Sequence, residues 1–133
     1  MQTMPINPVI VPESDFPLLK RLASTQNVYA DDEMSLKHEI NRAIVVKNSA
    51  FPANTVRLDS SVKILNLETQ ETSVFTVVIP KSADIRSKKV SVLSPMGTAL
   101  IGFREGDLIS WKMPSGMKHF KILEVDNSLN NNA

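Results

Sequence analysis

Asp31, Asp32 and Glu33 are the one uninterrupted run of three acids in the chain. Taken as residues alone, they are an N-cap and the first-turn acids of a helix that follows. Each would stabilise that helix through its dipole by about 0.3–1 kcal/mol. His38 and His119 are the only histidines, and no cysteine exists. The two histidines fall in different predicted elements and lack paired-ligand spacing, so a metal site is not expected. No Ser/His/Asp arrangement with a nucleophile elbow occurs, and no glycine-rich loop precedes a helix to cradle phosphate. Gly97 and Gly102 are spaced wrongly for that task. Trp111, Phe75, Phe103 and Phe120 could line a pocket, but aromatic content is 5% and packing is expected to use them. No catalytic residue, metal or cofactor is predicted, and the chain reads as a non-enzyme.

The elements that would position these residues follow from periodicity. Pro5, Pro8 and Pro12 forbid a helix at the start, and Val9-Ile10-Val11 suits an extended segment. A first helix is predicted from Ser14, its N-cap, to about Thr25, with Phe16, Leu19, Leu22 and Ala23 on one face. A second is predicted from Asp31 or Asp32 to about Asn48, its stripe being Leu36, Ile40, Ala43, Ile44 and Lys47. Two amphipathic helices joined by a short loop predict an antiparallel hairpin. Phe51-Pro52-Ala53-Asn54 is the linker out of it.

The remainder predicts strands at Val56–Leu58, Val62–Leu67, Val74–Ile79, Lys89–Leu93, Leu108–Met113 and Lys118–Val125. Lys81–Ser87 is a polar loop, and Arg86-Ser87-Lys88-Lys89 a solvated basic edge. Between two strands, Ser94 caps a short helix with Pro95 at its first position, where a missing N–H costs nothing. Gly102 follows where a left-handed helix end is wanted. All four glycines, Gly97, Gly102, Gly106 and Gly116, lie in this window. The fold class is α+β, with an antiparallel sheet and one short helix.

Ser94-Pro95-Met96-Gly97-Thr98-Ala99-Leu100-Ile101-Gly102, then Gly106-Asp107, then Pro114-Ser115-Gly116, resemble the C-terminal domain of the GreA/GreB transcript-cleavage factors. Ser60–Leu67 and Phe120–Val125 extend the likeness. With its short N-terminal part, the whole chain is most similar to the Rnk branch, the regulators of nucleoside diphosphate kinase. The resemblance implies an FKBP-like C-terminal domain with the helical hairpin, a short coiled coil, projecting from it. It implies that Leu93, Ser94, Pro95 and Met96 dock on the rim of the secondary channel of bacterial RNA polymerase. It also places Asp31, Asp32 and Glu33 at a channel-facing tip, where the matching acids of the cleavage factors help hold a magnesium ion. Magnesium is a hard cation that takes oxygen ligands.

Reach argues against cleavage. The predicted helices are about 25 Å and about 17 Å long at 1.5 Å per residue. The cleavage factors devote about twice as many residues to their hairpin, and their tip acids are spaced where these are contiguous. A regulator that occupies the channel and competes with longer-armed factors is therefore expected. The alternatives are an active elongation factor whose tip acids assist cleavage, and an FKBP-like module acting on another protein.

Composition agrees with a small regulator. The chain has 133 residues, 42% of them hydrophobic, enough for a core. With 15 basic and 14 acidic side chains it lacks the excess that bulk nucleic-acid binding needs, so no direct sequence-specific contact with nucleic acid is expected. No apolar run crosses a bilayer and no signal peptide is visible, so a cytoplasmic monomer is the expectation. The predicted organisation is residues 1–53 as N-terminal segment and hairpin, 54–127 as the C-terminal domain, and 128–133 as a disordered tail.

Overall fold

A computed structural model describes residues 9–25 and 35–128. The chain starts with strand β1 (Ile10–Pro12), followed by helices α1 (Phe16–Ser24) and α2 (Leu36–Asn41) and strand β2 (Ile44–Val46). β1 and β2 pair in parallel, Ile10 beside Ile44 and Pro12 beside Val46. Two parallel strands cannot be joined by a tight turn, so the helical segment serves as their crossover. α1 and α2 pack on each other, and Leu19, Ala23, Leu36 and Ile40 are buried between them and the rest of the core.

The second predicted helix is corrected at both ends. Ser35, not Asp31 or Asp32, caps α2, its Oγ accepting from the His38 N–H at 3.2 Å. α2 stops at Asn41 rather than Asn48. Ile44, Val45 and Val46 are all β-branched, lose side-chain freedom in a helix and suit a strand. Ile44 therefore leaves the predicted stripe and is half exposed on β2. The described helices have 9 and 6 residues, so the predicted 17 and 25 Å shorten to about 14 and 9 Å. At that length a supercoiled hairpin is not formed by these segments.

The C-terminal part is a five-stranded sheet in the order β5-β4-β3-β7-β6. Its strands are β3 (Ser61–Asn66), β4 (Thr72–Val78), β5 (Lys89–Ser91), β6 (Leu108–Met113) and β7 (Gly116–Asp126). The sheet is mixed, not antiparallel as expected. β4 and β5 run parallel, joined by two short 3-10 turns at Pro80–Ser82 and Ile85–Ser87. Pro80 ends β4 because it has no N–H for the ladder. Val56–Leu58, predicted as a strand, forms no ladder but buries Val56 and Leu58. Helix α3 (Pro95–Leu100) packs across β5 and β6.

Alternation along the strands separates two faces. Val62, Ile64, Ile109, Trp111, Phe120 and Ile122 turn inward to meet α3 and the N-terminal elements. Trp111, Phe103 and Phe120 are thus used in packing. Outward, Val74 and Leu108 remain 50% and 65% exposed. A register shift between Lys63 and Ile64 opposite β7 bends the sheet.

Val9 and Val11 are buried in the same core as the sheet residues. Gly102, at φ +83°, makes this possible. A Cβ there would lie 2.3 Å from Val9 Cγ1. Its N–H donates to the Val56 carbonyl at 2.9 Å, and its carbonyl accepts from the Ile10 N–H at 3.1 Å. One residue therefore joins α3, the Val56 segment and β1.

Candidate functional site

The Leu93–Met96 turn is built from its own polar groups. Ser91 Oγ accepts from the Leu93 N–H at 3.0 Å, and the Ser94 N–H donates to the Ser91 carbonyl at 2.9 Å. Ser94 Oγ donates to the same carbonyl at 2.6 Å and accepts from the Gly97 N–H at 3.2 Å. Ser94 is thus the predicted N-cap, with Pro95 in the first turn. Thr98 Oγ1, buried, donates to the Val92 carbonyl at 2.7 Å.

Gly97 brings α3 into backbone contact with the strand before it. A Cβ at Gly97 would stand 2.0 Å from the Ser91 carbonyl oxygen and 2.8 Å from Val92 Cα. The turn is therefore fixed before anything binds to it, which lowers the ordering cost of a complex. Pro95 is exposed at the turn's crest. Leu93 and Met96 are half-buried and pack against the core, leaving part of each side chain at the surface.

Asp31, Asp32 and Glu33 lie outside the described residues. The structure therefore neither places them at a tip nor brings them near the Leu93–Met96 turn. Among the described residues, no group of three or more His, Cys, Asp or Glu side chains could hold a metal ion. His38 is exposed on α2. His119 is exposed on the outer sheet face, its Nδ1 2.7 Å from Ser110 Oγ.

Two charged clusters escape sequence reasoning. Asp15, not the predicted Ser14, occupies the N-cap position of α1 and makes no side-chain cap. Its carboxylate instead accepts from Arg57 Nη2 at 2.9 Å and Arg57 Nε at 3.2 Å. This bidentate pair fastens α1 to the segment entering β3. The partners are 42 positions apart, so no local spacing announces them.

Glu39 is the second. It is buried on α2 and bonded to Arg42 Nη2 at 2.9 Å. Burial raises its pKa above the ordinary carboxylate value, opposed by the nearby Arg42 and His38. Arg42 also stands over the Phe103 ring at 5.8 Å, tying α2 to the residue beyond α3.

Comparison with known proteins bears on this arrangement. Residues 51–127 match the family described as transcription elongation factor, GreA/GreB, C-term. The regulator of nucleoside diphosphate kinase of Escherichia coli K12 is 36% identical over 93 residues, covering 69% of this chain and 68% of that protein. The transcription elongation factor GreA of Bartonella henselae is 34% identical over 90 residues, or 68% of this chain and 57% of that factor. The chain thus spans little more than half of that GreA. Among solved structures, a prokaryotic transcription elongation factor GreA/GreB from Nitrosomonas europaea superposes with a TM-score of 0.73. It is 30% identical and covers 91% of this chain and 99% of its own.

Proposed function

The chain belongs to the GreA/GreB family through its C-terminal part, and from that membership we propose that it is a cytoplasmic transcription regulator that binds bacterial RNA polymerase at the secondary channel. Residues 54–127 serve as the docking body. Leu93, Ser94, Pro95 and Met96 make the contact, and the short helical segment of α1 and α2 enters the channel by its far end, with Asp31, Asp32 and Glu33 foremost. The protein acts as a monomer, without a cofactor and without cleaving RNA itself, and competes with longer-armed factors of its family.

The observation that carries this reading is the Ser94-capped turn. It is held by Ser91, Gly97 and Thr98, and it leaves Pro95 exposed with parts of Leu93 and Met96 beside it. The brevity of α1 and α2 supports channel occupancy over cleavage. A catalytic acid must reach the reacting atoms, and helices of about 14 and 9 Å give little reach.

A transcript-cleavage assay on a backtracked elongation complex tests the proposal, with the polymerase of the matching bacterium. The expected result is no cleavage by this protein alone, together with dose-dependent inhibition of an added GreA. Cleavage that disappears in the Asp31→Asn, Asp32→Asn, Glu33→Gln variant would identify an active elongation factor. Absence of any binding to the polymerase would leave a protein-interaction module as the reading.

A further inference from the structure

The connection between β4 and β5 concentrates charge that the rest of the chain lacks. Lys81, Arg86, Lys88 and Lys89 stand there against Asp84 alone, while the whole chain carries a formal charge of +1. The remainder of the molecule is therefore net acidic, and the connection is its basic outcrop. All four cations are exposed. At their centre stands Ile85, 90% exposed, more than any other large hydrophobic residue among the described ones.

This outcrop is a built turn. The Asp84 carboxylate accepts from the Arg86 N–H at 3.1 Å and from Ser87 Oγ at 3.0 Å. Asp84 and Lys89 exchange both backbone hydrogen bonds, each at 2.9 Å. Lys88 takes the left-handed conformation at φ +60°, and its Nζ lies 5.5 Å from the centre of the Phe75 ring. The one acid of the segment is thus engaged in shaping it, and Lys88 lies over Phe75, which leaves Lys81 and Arg86 exposed in the same segment as Ile85. A turn pinned by its own hydrogen bonds, which presents an exposed isoleucine among basic residues, loses little freedom when it is covered.

We infer that residues 81–89 are a docking element in their own right, which seats Ile85 in an apolar recess of an acidic protein surface. A phosphate backbone would match the cations, but it offers little apolar surface to Ile85, so a protein partner is favoured. The inference rests on the polymerase reading, in that it takes the acidic surface to belong to that enzyme. It adds a contact separate from the Leu93–Met96 turn. An apolar anchor within a charged rim would divide the work. Ile85 sets how long the complex lasts, and Lys81 and Arg86 set how fast it forms and how salt weakens it.

The test measures affinity of the full chain for the matching core polymerase at low and moderate salt, using unmodified protein, Ile85→Ser, and Lys81→Glu with Arg86→Glu. Unchanged melting temperatures confirm that the variants fold. Ile85→Ser is expected to weaken binding about tenfold at both salt concentrations, the scale of an interface hot spot. The double charge reversal is expected to weaken binding more at low salt and to flatten the salt dependence. If unmodified protein binds and both variants stay within about twofold of it, the docking element is wrong and the polymerase reading survives. If unmodified protein does not bind, both fall. Loss in the charge variant alone, accompanied by binding to a 20-base-pair duplex probe, would assign the outcrop to nucleic acid and overturn the inference.

Discussion

Replacing Gly97 by Ala separates tertiary fit from helix propensity. Propensity alone says the change helps, because Ala is favoured over Gly inside a helix by about 1 kcal/mol. The structure says the opposite. The added Cβ would fall 2.0 Å from Ser91 O and 2.8 Å from both Ser91 C and Val92 Cα, all backbone atoms. No side chain can swing aside, so α3 must retreat from β5 by about 1.4 Å or more to restore ordinary contact distances. Retreat strains the Thr98–Val92 hydrogen bond of 2.7 Å, which is buried. Overpacking costs about 1–3 kcal/mol, and a weakened buried hydrogen bond about 1–3 more. Set against the propensity gain, the net is a loss of about 1–5 kcal/mol, against the roughly 5–15 kcal/mol that holds a domain together. Urea unfolding followed by Trp111 fluorescence measures it, since that side chain is buried in the core. The midpoint should fall without a change in slope. Gly106→Ala is the control, because a Cβ there meets nothing within 4 Å and only the φ of +92° is strained. A Gly97→Ala protein as stable as the unmodified chain would refute the close-approach reasoning.

Removing the Arg57 side chain should cost about 2–4 kcal/mol in the same assay, since it strands the buried Asp15 carboxylate. A double-mutant cycle with Asp15→Asn should show coupling of at least about 1 kcal/mol. Glu39 has a pKa raised by burial in the folded state, so its contribution favours folding below the ordinary carboxylate pKa and is lost as pH rises through the raised one. Glu39→Gln should therefore gain stability relative to the unmodified protein as pH rises above the ordinary carboxylate pKa, read as the change in melting-temperature difference. A difference independent of pH would contradict the burial argument. Thr98→Val keeps the shape but orphans the Val92 carbonyl, and should cost about 1–3 kcal/mol.

Where backbone chemistry is local, the sequence announced the structure. Ser94 followed by Pro95 is a cap and a first turn in both, and Gly102 takes its left-handed conformation as placed. The strands around Ile64, Phe75, Trp111 and Ile122 follow from alternation and β-branching. Helical spacing held at Leu36 and Ile40 and misled at Ala43 and Ile44. A stripe of that period continues smoothly across Arg42, yet the three β-branched residues from Ile44 belong to a strand whose partner, Ile10, is remote in sequence. Parallel pairing of β4 with β5 was equally hidden, because a crossover made of 3-10 turns has the composition of an ordinary polar loop. The Ser94 turn was visible as a motif, but the reason for Gly97 was not. That reason is the Ser91 carbonyl, which no pattern in α3 can report.

The hydrogen bond from Ile10 to Gly102 also carries a message about time. A ribosome releases the amino end first, and Gly102 leaves about ninety residues later, roughly 5–20 s at ordinary synthesis rates. Throughout that interval Val9 and Val11 have no finished core to enter. β1 is thus made about ninety residues before the glycine that holds it, and it settles only after α3 has emerged.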